Sequence, residues 1–113
     1  MKLLRSEAGS IRVLACEGTM TLVGGAEELV VEFDRLLSEA RSGIVLDLTR
    51  VRHLDSAGVG AVVTCGKRAA AAGAVMKIAL QRTGPVRKIF EITQLERGFE
   101  IFDDAASAAA SFA

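Results

Sequence analysis

The residues best placed to do chemistry fall in one stretch, Asp47-Leu48-Thr49-Arg50-Val51-Arg52-His53-Leu54-Asp55-Ser56-Ala57-Gly58-Val59-Gly60. An apolar run ends at Leu48, a short polar loop is expected after it, and Asp55-Ser56 opens a helix. A helix start carries N–H groups without intrahelical partners and the positive end of the helix dipole. A phosphate there would meet ready donors. Gly58 and Gly60 strip side chains from the first turn, so another backbone or a phosphate could approach closely. Glycine inside a helix costs about 0.5–1 kcal/mol relative to alanine, so two of them imply a packing or contact demand. On the residues alone a plainer account is open: Asp55 or Ser56 caps the helix, and the glycines let it pack tightly on a sheet.

Other candidates carry less. Gly60 to Lys67 superficially matches a phosphate-binding loop, but the pattern requires G-x-x-x-x-G-K-[ST]. Five residues separate Gly60 from Gly66, and Arg68 stands where serine or threonine is needed. His53 is the single histidine and has no cysteine near it in sequence, so a solvated loop residue is expected and a metal site is not. Asp47 and Asp55 could form an acid pair for hydrolysis. Asp47, however, sits in an apolar run, where hydrogen bonding to the neighbouring loop backbone is the simpler role. Arg50, Arg52, Lys67, Arg68, Arg87 and Lys88 face solvent or, nearest Ser56, line a partner surface. No nucleophile–base pair stands out, so an enzyme acting on a phosphorylated small molecule finds no support and no cofactor is implied.

The elements that must position Ser56 follow from periodicity. Leu3 to Ser6 and Ile11 to Cys16 read as two strands joined by a turn at Glu7-Ala8-Gly9-Ser10. A glycine-bearing loop spans Gly18 to Gly25. Ala26, Leu29, Val30, Phe33, Leu36, Leu37 and Ala40 then repeat at helical spacing. Ile44 to Leu48 is a continuous apolar run, as a strand buried on both faces requires. A helix starts near Ser56, with Val59, Val62, Val63, Gly66, Ala69, Ala70 and Gly73 marking its inner side. Val75 to Leu80 is a strand. Pro85 suits the first turn of a third helix, with Val86, Ile89 and Phe90 inward. Phe99 to Phe102 is a last short strand, and Asp103 or Asp104 caps an alanine-rich helix ending near Phe112. The order β-β-α-β-α-β-α-β-α predicts one α/β domain over residues 1–113. Its sheet is mixed and mostly parallel, with about four helices mainly on one face.

Composition narrows the function. In 113 residues, 14 basic side chains balance 14 acidic ones, so no net field draws the chain to nucleic acid or anionic lipid. Tyrosine and tryptophan are absent, which removes the usual base-stacking platform. Half of the residues are hydrophobic, enough for a core at this size. No run of about 18 apolar residues occurs, so no membrane insertion is expected. Cys16 and Cys65 stand apart and outside any CxxC, as reduced, partly buried thiols of a cytoplasmic protein would. No secretory signal pattern precedes Ser10.

The segment around Ser56 resembles the signature of the STAS domain family, in particular the bacterial anti-sigma factor antagonists. The resemblance rests on Asp47-Leu48-Thr49, Asp55-Ser56-Ala57-Gly58-Val59-Gly60 and Gly73. It continues through Val86-Arg87-Lys88-Ile89-Phe90 and Gln94-Leu95, and covers nearly the whole chain. It implies that Ser56 is a phosphorylation site and that Asp55, Ser56, Ala57, Gly58, Val59 and Gly60, together with Thr21, form the partner-binding surface. The partner implied is an anti-sigma factor that is also a serine kinase. It is bound by the unphosphorylated form and released by the phosphorylated one, which a serine phosphatase restores. Ala57 follows Ser56, so no second serine competes for that role. Many relatives carry an acid in a Gly-x-x-Asp pattern near the serine. Here the stretch is Gly18-Thr19-Met20-Thr21, so Thr21 replaces the acid and bears on the kinase-facing contacts. A second function is compatible with the same resemblance: an accessory subunit of a membrane transport ATPase, with Ser56 a contact residue and no phosphorylation cycle.

Overall fold

The computed structural model describes residues 1–39 and 43–112. The elements are β1 (Lys2–Ala8), β2 (Ile11–Met20), α1 (Ala26–Glu39), β3 (Gly43–Leu54), α2 (Ser56–Ala71), β4 (Val75–Ala79), α3 (Pro85–Ile92), a 3-10 turn (Leu95–Arg97), β5 (Ile101–Phe102) and α4 (Ala105–Ala110). Gly9, at φ 63°, turns β1 back onto β2 as an antiparallel pair. The remaining pairings are parallel, and the five strands lie in the order β1-β2-β3-β4-β5. The expected mixed, mostly parallel sheet is therefore the sheet that forms.

This order explains where the helices lie. Each crossover steps one strand further in the same direction, and crossovers of one hand then deliver their helices to one face. Residues of α1, α2 and α3 share a single core with Leu14, Cys16, Ile44, Leu46, Leu48, Met76 and Ile78 of the sheet and Leu80 just beyond β4. Phe33 of α1 and Phe90 of α3 are completely buried there, each contributing about 1.5–3 kcal/mol by area removed from water. The opposite face belongs to α4, whose Ala108 packs with Ile11, Val13 and Val45. Lys77 projects to that side and is buried. Its Nζ lies 4.3 Å from the centroid of the Phe112 ring, donates to Ser111 Oγ at 2.8 Å and pairs with Glu100 at 3.1 Å. A buried ammonium needs such partners, and here they fasten the end of α4 to the sheet.

Several expectations need correction. The polar loop predicted after Leu48 is strand: β3 runs on to Leu54, paired with β2, which itself extends to Met20. Register shifts between Ala15 and Glu17 and between Gly18 and Thr19 break the period-2 pattern, which is why Arg50, Arg52 and His53 read as loop. His53 is thus an exposed strand residue. The inner side of α2 is Gly58, Ala61, Val62, Cys65 and Ala69, rotated from the predicted stripe. Ala70 is exposed, and Gly73 lies beyond the helix at φ 74°. β5 is only two residues long, and the Phe99 ring packs over Gly66, where an added Cβ would come within 2.6 Å of it. Asp104, not Asp103, caps α4, accepting from the Ser107 N–H. On α1, Ala26, Leu29, Phe33 and Leu36 are buried as predicted; Ala40 lies outside the described residues.

Both cysteines are free and deeply buried, and burial pushes each thiol up to about 12. The thiolate is the reactive species. In the native chain at pH 8 neither sulfur should react appreciably with a thiol reagent such as DTNB, and two should react once denaturant is added. Rapid labelling of the folded protein would contradict the placement of Cys16 and Cys65 in the core.

Candidate functional site

Ser56 is the first residue of α2 and is exposed. It sits beyond the end of β3, at the carboxyl edge of the parallel strands, where open α/β sheets present their sites. Asp55 is the N-cap. Its Oδ1 accepts from the Gly58 N–H at 3.0 Å, and its Oδ2 accepts from the Leu22 N–H at 3.1 Å. One carboxylate therefore caps the helix and clasps the loop between β2 and α1. These two backbone donors, Leu22 first, hold the Asp55 carboxyl below the usual carboxylate range. Asp55 is thus ionised at neutral pH and occupied with structural bonds.

That occupancy changes the expectation of ready phosphate donors at this helix end. The Gly58 N–H already serves the Asp55 carboxylate, and the Val59 N–H serves the Asp55 carbonyl. A phosphate on Ser56 would therefore sit beside an anion that already uses one of the first-turn donors.

The loop is rigidly made. Thr21 and Gly24 exchange backbone hydrogen bonds at 2.8 and 3.2 Å, and Thr21 Oγ1 donates to the Gly24 carbonyl at 3.3 Å. Met20 O accepts from the Asp55 N–H at 3.3 Å. Both chain neighbours of Thr21 therefore bond Asp55, and Thr21 itself turns its hydroxyl into its own turn. Gly25, at φ 103°, brings the chain so close to Thr19 O that a Cβ would lie 2.6 Å from it. The tip of this turn displays Leu22 and Val23, which are 81% and 97% exposed.

The two glycines of the first turn of α2 differ. A Cβ on Gly58 would lie 2.3 Å from Met20 O and 2.8 Å from Leu54 Cβ. Gly58 is buried and lets α2 seat against the ends of β2 and β3. Gly60 is exposed and has nothing within 4 Å of a Cβ, so packing does not require it. Ala57 and Val59 are half-buried and lean on the core. Of the residues from Asp55 to Gly60, Ser56 and Gly60 offer the most open surface.

Asp47 lies well inside the sheet, and its Oδ1 accepts from the N–H and the hydroxyl of Thr49, at 2.9 and 2.7 Å. The expected backbone-bonding role holds. No group of three or more potential metal ligands forms among the described residues, and no helix there is long and apolar enough to cross a membrane. Leu22 and Val23 were not singled out by sequence, although two adjacent aliphatics outside any amphipathic period, next to Gly24-Gly25, are a legible signal.

The STAS domain profile matches residues 5–108. No curated protein matches the sequence significantly. Among solved structures, the chain is similar to an anti-sigma factor antagonist from Mycobacterium paratuberculosis, with a TM-score of 0.86 and 16% identity over 97% of this chain and 92% of that one. It is similar to the anti-sigma factor antagonist SpoIIAA, a Bacillus cell fate determinant, in two forms. The unphosphorylated form has a TM-score of 0.67 and 18% identity over 97% and 96% of the two chains. The phosphorylated form has a TM-score of 0.64 and 18% identity over 94% and 96%. A sulfate transporter family protein from Wolinella succinogenes has a TM-score of 0.77 and 16% identity over 90% and 84%. At these identities the likeness establishes the fold.

Proposed function

Because the chain belongs to the STAS domain family, we propose that it is an anti-sigma factor antagonist: a cytoplasmic, non-catalytic binding domain switched by phosphorylation of Ser56. The partner is an anti-sigma factor with serine kinase activity, bound while Ser56 is unmodified, and a serine phosphatase reverses the modification. The observation that carries this reading is an exposed serine at the start of α2 whose neighbour, Asp55, ties the helix to an outward-facing apolar turn.

In the transfer, Ser56 Oγ attacks the terminal phosphorus of ATP held by the partner. The Oγ–P bond forms, the bond to the ADP oxygen breaks, and the hydroxyl proton leaves to a base of the partner. Asp55 is a weak base for this step, since backbone hydrogen bonds from Leu22 and Gly58 hold its carboxyl below the usual range. This chain contributes position: the hydroxyl projects from a fixed helix end, beside a fixed turn, with no side chain on Gly60 to obstruct a visiting active site.

Release follows from electrostatics. A phosphoserine adds about −1.5 to −2 charges at neutral pH, beside an ionised Asp55. The exposed site accommodates this in the free chain, whereas in a docked interface an uncompensated buried charge costs several kcal/mol. At 1.4 kcal/mol per decade, affinity falls by about a hundredfold or more.

The test is intact mass before and after incubation with the candidate kinase and ATP. One phosphate should be gained by the native chain and none by Ser56→Ala. An unmodified native chain, or a phosphate retained in Ser56→Ala, would overturn the assignment.

A further inference from the structure

The register between β3 and β4 ends at Asp47 opposite Ala79. β3 nevertheless continues to Leu54 against β2 alone, while the chain after β4 turns away toward α3. The gap between them is a cavity of about 360 Å³, within the range of small-ligand sites. It lies at the carboxyl ends of two adjacent central strands, where ligands bind in open α/β sheets. Its floor is Leu48, Val51, Leu80 and Val86, each at most 6% exposed. The Gln81 side chain closes one wall by donating to Thr49 O at 2.6 Å.

Charge and chemistry narrow the occupant. Among the described residues, the charged ones lining the cavity are Arg50 and Arg52, with no acid and no aromatic ring beside them. Arg50 is held by Glu17 at 3.2 Å. Arg52 is exposed and forms no ion pair among the described residues. An aliphatic floor under one uncommitted guanidinium suits a ligand with an apolar body and a single anionic head. A nucleobase would find no stacking surface, and a neutral aliphatic molecule would leave Arg52 unused.

We propose that this cavity, between the free tail of β3 and the start of α3, binds a small aliphatic carboxylate, with Arg52 engaging the carboxylate and Leu48, Val51, Leu80 and Val86 covering the chain. None of its lining residues belongs to the Asp55–Gly60 segment or is Thr21, and its test does not require the proposed partner.

Amide NMR titration of the intact chain with octanoate, against octanol as the neutral comparison, tests it. Octanoate should give saturable shifts centred on Leu48, Val51, Gln81 and Val86, and octanol should bind at least about tenfold more weakly, the usual worth of a hydrogen bond to a charged group. Arg52→Gln should weaken octanoate by a similar factor. Thr83→Trp, a change at an exposed rim position, should block it without disturbing the core. The proposal fails if millimolar octanoate gives no saturable shift, if the shifts centre elsewhere, if Arg52→Gln binds as tightly as the native chain, or if octanol matches octanoate.

Discussion

Gly58→Ala is expected to melt on the order of 10 °C below the native chain, for a loss of about 1–3 kcal/mol. A single methyl there would meet the Met20 carbonyl oxygen at 2.3 Å and Leu54 Cβ at 2.8 Å. Neither contact is the far end of a flexible side chain, so α2 must lift or the end of β2 must shift. The intrinsic gain of alanine over glycine in a helix, about 0.5–1 kcal/mol, acts in the opposite direction and is too small to win. The matched control is two residues on. At Gly60 nothing lies within 4 Å of an added Cβ, so Gly60→Ala should stabilise the chain by about that intrinsic gain. Thermal melts of the two variants should therefore move in opposite directions. Equal shifts would mean that Gly58 does not seat the helix against the strand ends.

Removing both exposed aliphatics of the clasped turn, as Leu22→Ser with Val23→Ser, should reduce affinity for the proposed anti-sigma factor partner by about a hundredfold or more while leaving the melt unchanged. In the free chain these side chains are 81% and 97% exposed, so folding gains almost nothing from them. Buried at an interface, each is worth about 1.5–3 kcal/mol, and two of them span at least two decades of affinity. The turn is held ready by the paired bonds of Thr21 and Gly24 and by the Asp55 clasp, so docking does not have to order it. Calorimetric titration of the double variant against the partner gives the answer. Binding within threefold of native would place the contact surface elsewhere, and a lowered melt would mean that the turn supports the fold.

Much of the architecture was legible because two periodicities were strong. The stripe of α1 and the apolar runs of β3 and β4 defined the parallel core, and Asp55-Ser56 marked the start of α2. The tail of β3 was not legible. Arg50 to His53 lie where register shifts interrupt alternation and where only one strand pairs, so their polarity signals loop. The inner side of α2 was misread for a related reason: in an alanine- and glycine-rich helix the apolar residues surround the axis, and only close approach selects Gly58 and Cys65 over Val63 and Ala70. The exposed serine at the start of α2 was visible in sequence. The use of the Asp55 carboxylate to hold a turn 33 residues away was not, because nothing local specifies a long-range backbone acceptor.

The strand sequence in space repeats the strand sequence along the chain. On a ribosome, each new strand therefore emerges to find its neighbour already waiting, and the sheet can grow from one edge without threading. The second face is the exception. Ile11, Val13 and Val45 await α4, which emerges after every strand, and Lys77 has its Ser111 and Phe112 contacts only then. A nascent chain that already displays Ser56 thus still carries a bare apolar flank until α4 docks on it.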